Sequence, residues 1–244
     1  MKNNYLCVIC FKPNDIWIYF LSTFEKYDIY IVVDDNEIDY KEKYKEFKKI
    51  NIIQILNEEC EKDGYKNINF VIKKNISGWD KAIYYFSKIN LLYNYIWFLE
   101  DDVFFYNEKT INNIDLKYDN VDLLSNKYTE NTFGHKDNWH WKDLKIHINP
   151  PYYNAMVCCT RMSKNLMLKI KNYANEYKTL FFLEALFPTL CKKYNLKYET
   201  PSELLNIIYR KDYDKNDIDK INIYHPLKDI NMHNYYRNFL EHKI

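Results

Sequence analysis

The chain has 244 residues, 47% of them hydrophobic and 28% charged, with 35 Lys and Arg against 34 Asp and Glu for a formal net charge of +1. That composition is globular and long enough for one large core, and its near-neutral balance gives no support to a nucleic-acid binder working through bulk charge. No apolar run approaches the roughly 20 residues of a membrane span, and three glycines in all leave no Gly-rich phosphate loop or dinucleotide fingerprint.

Residues 5–10, YLCVIC, read as a first buried strand, and 15–27, DIWIYFLSTFEKY, as a helix by the spacing of their apolar residues. A second strand, 28–33, ends on the turn signal Asp34-Asp35-Asn36. Residues 40–50, YKEKYKEFKKI, read as a charged surface helix, and 51–56 and 68–73 (INFVIK) as further strands. Ser77 is placed to cap a helix over 77–92, SGWDKAIYYFSKINLL. Residues 95–105, YIWFLEDDVFF, then form an apolar run interrupted by three carboxylates. Strands alternating with helices predict parallel β-α-β units and an α/β sheet covered on both faces.

The second half is less regular. Residues 128–150 form a long loop-like segment with Trp139, Trp141 and three histidines, too aromatic for disorder. A buried strand is expected in 152–162, a helix over 163–177 capped by Ser163, and an apolar helix over 180–195 kinked or ended near Pro188. Short strands in 196–200, 203–210 and 220–226 precede a terminal helix. With no repeat and no Pro/Ser-rich linker, the simplest organisation is a single domain, its halves dividing at 127/128. Of six cysteines, Cys7 and Cys10 make a C-x-x-C and Cys158-Cys159 a vicinal pair, both inside apolar strand-like runs. Buried free thiols of a reducing compartment are the better reading. Together with the lack of a signal or anchor, they give cytoplasmic location as the expectation, the host cytoplasm if the abundance of Asn, Lys, Ile and Tyr, whose codons are A/T-rich, reflects a large DNA virus.

In open α/β sheets ligands sit beyond the carboxyl ends of strands, where both acidic clusters fall. In an extended segment Glu100 and Asp102 share a face, which suits a hard divalent cation with sites left open for phosphate oxygens. The structural alternative is a strand end paired with lysines. Asp34-Asp35-Asn36 alone reads as a plain turn, Glu184 could simply pair with Lys178 or Arg161, and a lone His225 is usually structural. Trp79, Trp139 and Trp141 can stack on sugars but more often fill a core.

The acidic strand end, preceded by the WDKA helix, resembles the GT-A nucleotide-sugar glycosyltransferases. The resemblance runs from about residue 5 to 229 through short motifs. It implies a Rossmann-like, mostly parallel central sheet flanked by helices, with an elaborated acceptor half. Residues 1–127 would then bind the nucleotide sugar and 128–244 the acceptor. By the same resemblance Asp34 holds the nucleoside and Lys81 contacts it. Glu100, standing for the first acid of the family's D-x-D, and Asp101 would help bind the donor, and Asp102 with His225 would hold Mn²⁺ or Mg²⁺. Glu184 in FFLEALFP matches the base of inverting members. Two departures stand out: Ala185 follows Glu184 where a second acid is common, and YYNAM replaces a Gly-rich turn. The implied reaction moves a sugar from a nucleotide donor, UDP-linked first among them, to a glycan or other hydroxyl acceptor, with no nucleic-acid partner. A metal-dependent phosphoryl-transfer enzyme or nuclease, and a non-catalytic sugar-binding protein of the same fold, are the competing readings.

Overall fold

A computed structural model describes residues 4–71 and 75–242. The first half runs β1 (Asn4–Cys10), α1 (Asp15–Ser22), β2 (Asp28–Val33), α2 (Tyr40–Lys43), β3 (Ile50–Gln54), α3 (Asn57–Lys62), α4 (Gly78–Tyr84), β4 (Tyr95–Glu100) and α5 (Glu108–Lys117). The second half adds β5 (Leu123–Leu124), β6 (Thr129–Asn131), β7 (Tyr152–Asn154), β8 (Cys159–Ser163), α6 (Lys164–Tyr177), α7 (Leu183–Lys193), β9 (Tyr198–Glu199), β10 (Asn206–Ile207), β11 (Tyr224–His225) and α8 (Ile230–His242).

A seven-stranded sheet in the order β3-β2-β1-β4-β8-β5-β9 is parallel except for β8, which runs antiparallel between β4 and β5. Alternation along the strands divides two apolar layers. Tyr5, Cys7 and Ile9 of β1 with Ile96 and Phe98 of β4 face the layer holding α4, α6 and α7. Leu6, Val8 and Cys10 with Trp97 and Leu99 face the layer of α1 and α5. Strands buried on both sides must be apolar at every position, which is why these read as unbroken runs. Cys7 and Cys10 therefore point to opposite faces, and all six cysteines are buried free thiols. Among the described residues no helix is long and apolar enough to cross a membrane.

Local signals behave as their chemistry requires at the caps. Asn14 accepts from Trp17 N at 2.9 Å, and Ser163 Oγ accepts from Leu166 N at 3.1 Å. At the start of α4 the buried Asp80 accepts from Ser77 N at 2.9 Å and from Ile68 N at 3.1 Å. That second bond explains why residues 68–71 turn instead of forming the expected strand. Their backbone is spent on α4 and on the Leu183 N–H, which Ile68 O accepts at 2.5 Å; residues 72–74 of that expected strand lie outside the described residues. The charged helix expected over 40–50 shortens to Tyr40–Lys43, because successive turns (Phe47 N to Tyr44 O, Ile50 N to Phe47 O) bring the chain into β3.

The long segment before β7 is built, not loose. Its β6 pairs antiparallel with β7, and Trp141 stacks near Tyr152 at 5.9 Å between ring centroids. Helix α7 continues through Pro188 instead of ending there. Proline has no N–H to give the Glu184 carbonyl one turn back, and that carbonyl instead accepts the Ala155 N–H at 2.9 Å. Thr189 Oγ1 secures the same contact, accepting from Tyr153 N at 2.9 Å and donating to Tyr153 O at 3.0 Å.

Candidate active site at the end of β4

The parallel strands β1, β2 and β4 end together, so the turn after β4 and the turn after β2 face one another. Glu100 closes β4 with its N–H on the Cys158 carbonyl at 2.9 Å, and its Oε1 accepts the Trp79 indole N–H at 2.7 Å. The chain beyond Asp102 then pairs with β11: Phe104 N meets Tyr224 O at 2.8 Å and Tyr224 N meets Phe104 O at 2.9 Å. Leu227 N bonds Asp102 O at 2.7 Å. This bridge carries His225, more than a hundred residues distant in sequence, to the acidic turn.

His225 is buried at 7% exposure, and its Nδ1 lies 2.9 Å from the Ile208 carbonyl. A carbonyl only accepts, so Nδ1 carries a proton and the tautomer leaves the Nε2 lone pair free for a ligand. Nε2 stands 3.4 Å from Asp102 Oδ1 and 3.8 Å from Glu100 Oε2. Asp102 Oδ1 is itself buried with no hydrogen-bond partner. A lone pair and an unsatisfied carboxylate oxygen facing across that gap are donors that could hold a divalent cation. The residues present therefore fit Mn²⁺ or Mg²⁺ at Asp102 and His225, with Glu100 Oε2 within reach.

The electrostatics agree. Burial first, and the Asp102 charge second, push the Glu100 carboxyl above its ordinary range. Burial followed by its two acidic neighbours pushes Asp101 up to about 6.

Two hollows flank the triplet and meet at Asn69, Glu100 and Asp102. One, about 260 Å³, is walled by Ile9, Asp34, Gly78, Trp79 and Asp101. Gly78 is needed there: a Cβ would come 2.9 Å from Ile9 Cγ2. Lys81 is fully buried behind this hollow, with Nζ 3.0 Å from Asp34 Oδ1 and 2.5 Å from Asp34 O. It reaches the site through Asp34 and positions that carboxylate. The other hollow, about 380 Å³, is walled by Glu184, Cys158, Arg210, His225 and Lys228. Glu184 sits in the first turn of α7, and burial, with Glu100 second, pushes its carboxyl up to about 7. Its alternative partner Arg161 is elsewhere, buried with Nη1 2.7 Å from Asp115 Oδ1.

The structure thus brings Asp34, Glu100, Asp101, Asp102, Glu184 and His225 to one groove. Arg210, Lys228 and Cys158 also line it, and the sequence did not mark them. Lys228 follows His225 by one short turn of chain, and Cys158 was indistinguishable from Cys159 by residue type.

No family model matches the sequence, and no curated protein does. Solved structures do. A 4-diphosphocytidyl-2C-methyl-D-erythritol synthase from Anaerococcus prevotii superposes with a TM-score of 0.51 at 10% identity, over 98% of this chain and 96% of that one. The galactosyltransferase LgtC, solved with donor and acceptor sugar analogues, gives 0.50 at 10% identity, over 99% and 97%. This chain has their fold. It is the mostly parallel, helix-flanked sheet that the GT-A resemblance implied.

Proposed function

We propose that the protein is a glycosyltransferase. It would move a sugar from a nucleotide donor, UDP-linked first among candidates, to a hydroxyl on a glycan or other acceptor, with Mn²⁺ or Mg²⁺ held by Asp102 and His225. The observation that carries this reading is the facing of His225 Nε2 and the unsatisfied Asp102 Oδ1 at a strand end between two hollows. When bound, such a cation supplies Lewis-acid stabilisation of a departing nucleoside diphosphate. Asp34, fixed by Lys81, accepts hydrogen bonds from the nucleoside in the smaller hollow. Arg210 and Lys228 bring positive charge to the wall where phosphate oxygens would lie. Glu184, with its carboxyl near neutrality, takes the proton of the attacking hydroxyl at a carboxylate oxygen. Phe182 and Leu183 beside it exclude water from that hollow.

A thermal-shift panel of UDP, GDP and CMP sugars, with and without Mn²⁺, tests this on wild type and Asp102→Asn. A nucleotide at a hundred times its Kd stabilises by about 2.7 kcal/mol, or roughly 5–10 °C for a chain this size. The reading requires one nucleotide class to stabilise only with metal, and Asp102→Asn to abolish the effect. If no nucleotide shifts the wild type under either condition, it is wrong.

A further inference from the structure

Cys158 occupies a place where a purely hard-cation centre has no use for sulfur. It ends the extended segment that leads into β8, is 7% exposed, and its carbonyl holds the Glu100 N–H at 2.9 Å. That bond sets the thiol beside the carboxylate. One ligand atom each from Glu100, Cys158 and His225 lie within 4.8 Å of one another. The other polar atoms of two of these side chains are already engaged: Glu100 Oε1 by the Trp79 indole at 2.7 Å, and His225 Nδ1 by Ile208 O at 2.9 Å. What remains is one imidazole nitrogen, one carboxylate oxygen and the Cys158 sulfur, whose present contact is the weak acceptor Met156 Sδ at 3.5 Å. Metal–ligand bonds of roughly 2.0–2.3 Å at tetrahedral angles give edges of about 3.4–3.6 Å. The His225 Nε2 to Glu100 Oε2 edge is 3.8 Å and the edges to the sulfur lie within 4.8 Å, so side-chain rotations that draw the sulfur inward close the set.

We propose that Glu100, Cys158 and His225 bind a thiophilic divalent cation, Zn²⁺ by preference, in a mode that shares His225 with the Asp102–His225 pair. The two modes are mutually exclusive because one nitrogen lone pair serves both. Binding replaces the Cys158 S–H bond by a sulfur–metal bond, and the proton goes to solvent. Soft thiolate then selects zinc over manganese. With His225 turned to the sulfur side, Asp102 loses its partner and the diphosphate its cation, so zinc acts as an antagonist of the hard-metal state. The proposal rests on the reading of His225 as a metal ligand, and not on sugar being transferred.

Co²⁺ added to the purified full-length wild type, without nucleotide, is the first probe. A thiolate-to-cobalt charge-transfer band in the near ultraviolet should appear, and Zn²⁺ should displace it at one equivalent. Mn²⁺ followed by electron paramagnetic resonance should be released by Zn²⁺ competitively. In Cys158→Ser the charge-transfer band should vanish and Zn²⁺ affinity fall about tenfold or more, while Mn²⁺ affinity changes far less. Glu100→Gln, which keeps the Trp79 acceptor, provides a second variant that weakens zinc without touching sulfur. Cobalt bound with no thiolate band, unchanged zinc affinity in folded Cys158→Ser, or zinc and manganese binding together would each overturn the proposal. A band with zinc–manganese competition but no nucleotide binding would leave the metal assignment standing and remove the transferase reading. Manganese-dependent nucleotide binding without the band would do the reverse.

Discussion

Glu184→Gln separates what the site costs from what it is for. Burial and the nearby Glu100 charge raise the Glu184 carboxyl from its ordinary 4.5 to about 7. A carboxyl with a raised folded pKa binds its proton more tightly in the folded chain, so ionising it costs stability. That cost is absent below about pH 4.5, grows between pH 4.5 and about pH 7, and is constant above. At ~1.4 kcal/mol for each pH unit of displacement the ceiling is about 3 kcal/mol, and partial solvent exposure of the side chain reduces it to about 2 kcal/mol. Glutamine has no charge to strip of water. The variant should therefore be more stable than wild type by about 2 kcal/mol at pH 8 and indistinguishable from it at pH 4.5. In melting temperature the pH 8 gain is roughly 4–8 °C.

The assay is urea unfolding at both pH values with a chelator present. Glu100, Asp102, Cys158, His225, Arg210 and Lys228 surround the same hollow and remain in both proteins, so their own titration largely cancels in the difference. Sugar transfer should fall by roughly 10²–10⁴ in the same variant, and the wild-type rate should climb with pH toward a plateau above about pH 7. Equal stability of the two proteins at both pH values would refute the burial argument, and an unaltered turnover would remove Glu184 from the role of base.

Three other perturbations are equally direct. Trp79→Phe removes the indole donor to Glu100 Oε1 while keeping an aromatic ring in the core, and Mn²⁺ affinity by titration should drop about 10–100-fold. Asp115→Ala strands the buried Arg161, which shares that carboxylate with Trp97 Nε1 and Tyr27 Oη. Denaturant unfolding should show a loss of about 3–5 kcal/mol, with nucleotide affinity of the folded fraction unchanged. Gly78→Ala pushes a methyl to within 2.9 Å of Ile9 Cγ2 and 3.5 Å of Asp34 Cβ. It should cost about 1–3 kcal/mol and weaken nucleotide binding in calorimetry.

The first half was readable because its evidence is local. Parallel strands buried on both faces leave uninterrupted apolar runs, so β1, β2 and β4 show directly, and Glu100 to Asp102 follow from where β4 must stop. What the sequence hid is whatever depends on pairing between distant segments. The antiparallel insertion of β8 between β4 and β5 has no local signature. Strands β10 and β11 fall inside the short strands expected in 203–210 and 220–226, but their parallel pairing and the Phe104–Tyr224 bridge that delivers His225 have no local signal. The resemblance made Lys81 a contact to the nucleoside, but its burial commits it to Asp34. Cys158 and Cys159 border the same apolar layer, and nothing local in the sequence says that Cys158, at the bend before β8, is the one that lines the hollow.

The proline in α7 also meters the groove. Its missing N–H leaves the Glu184 carbonyl to Ala155, and three residues later the Cys158 carbonyl takes the N–H of Glu100. Two backbone bonds, three residues apart along one segment, thus act as a ruler between the carboxylate on the helix and the acid at the strand end. Length changes elsewhere in the second half, such as in the stretch before β7 or between β10 and β11, leave that span untouched. A single inserted residue between 155 and 158 would break the ruler while every side chain of the site was still present.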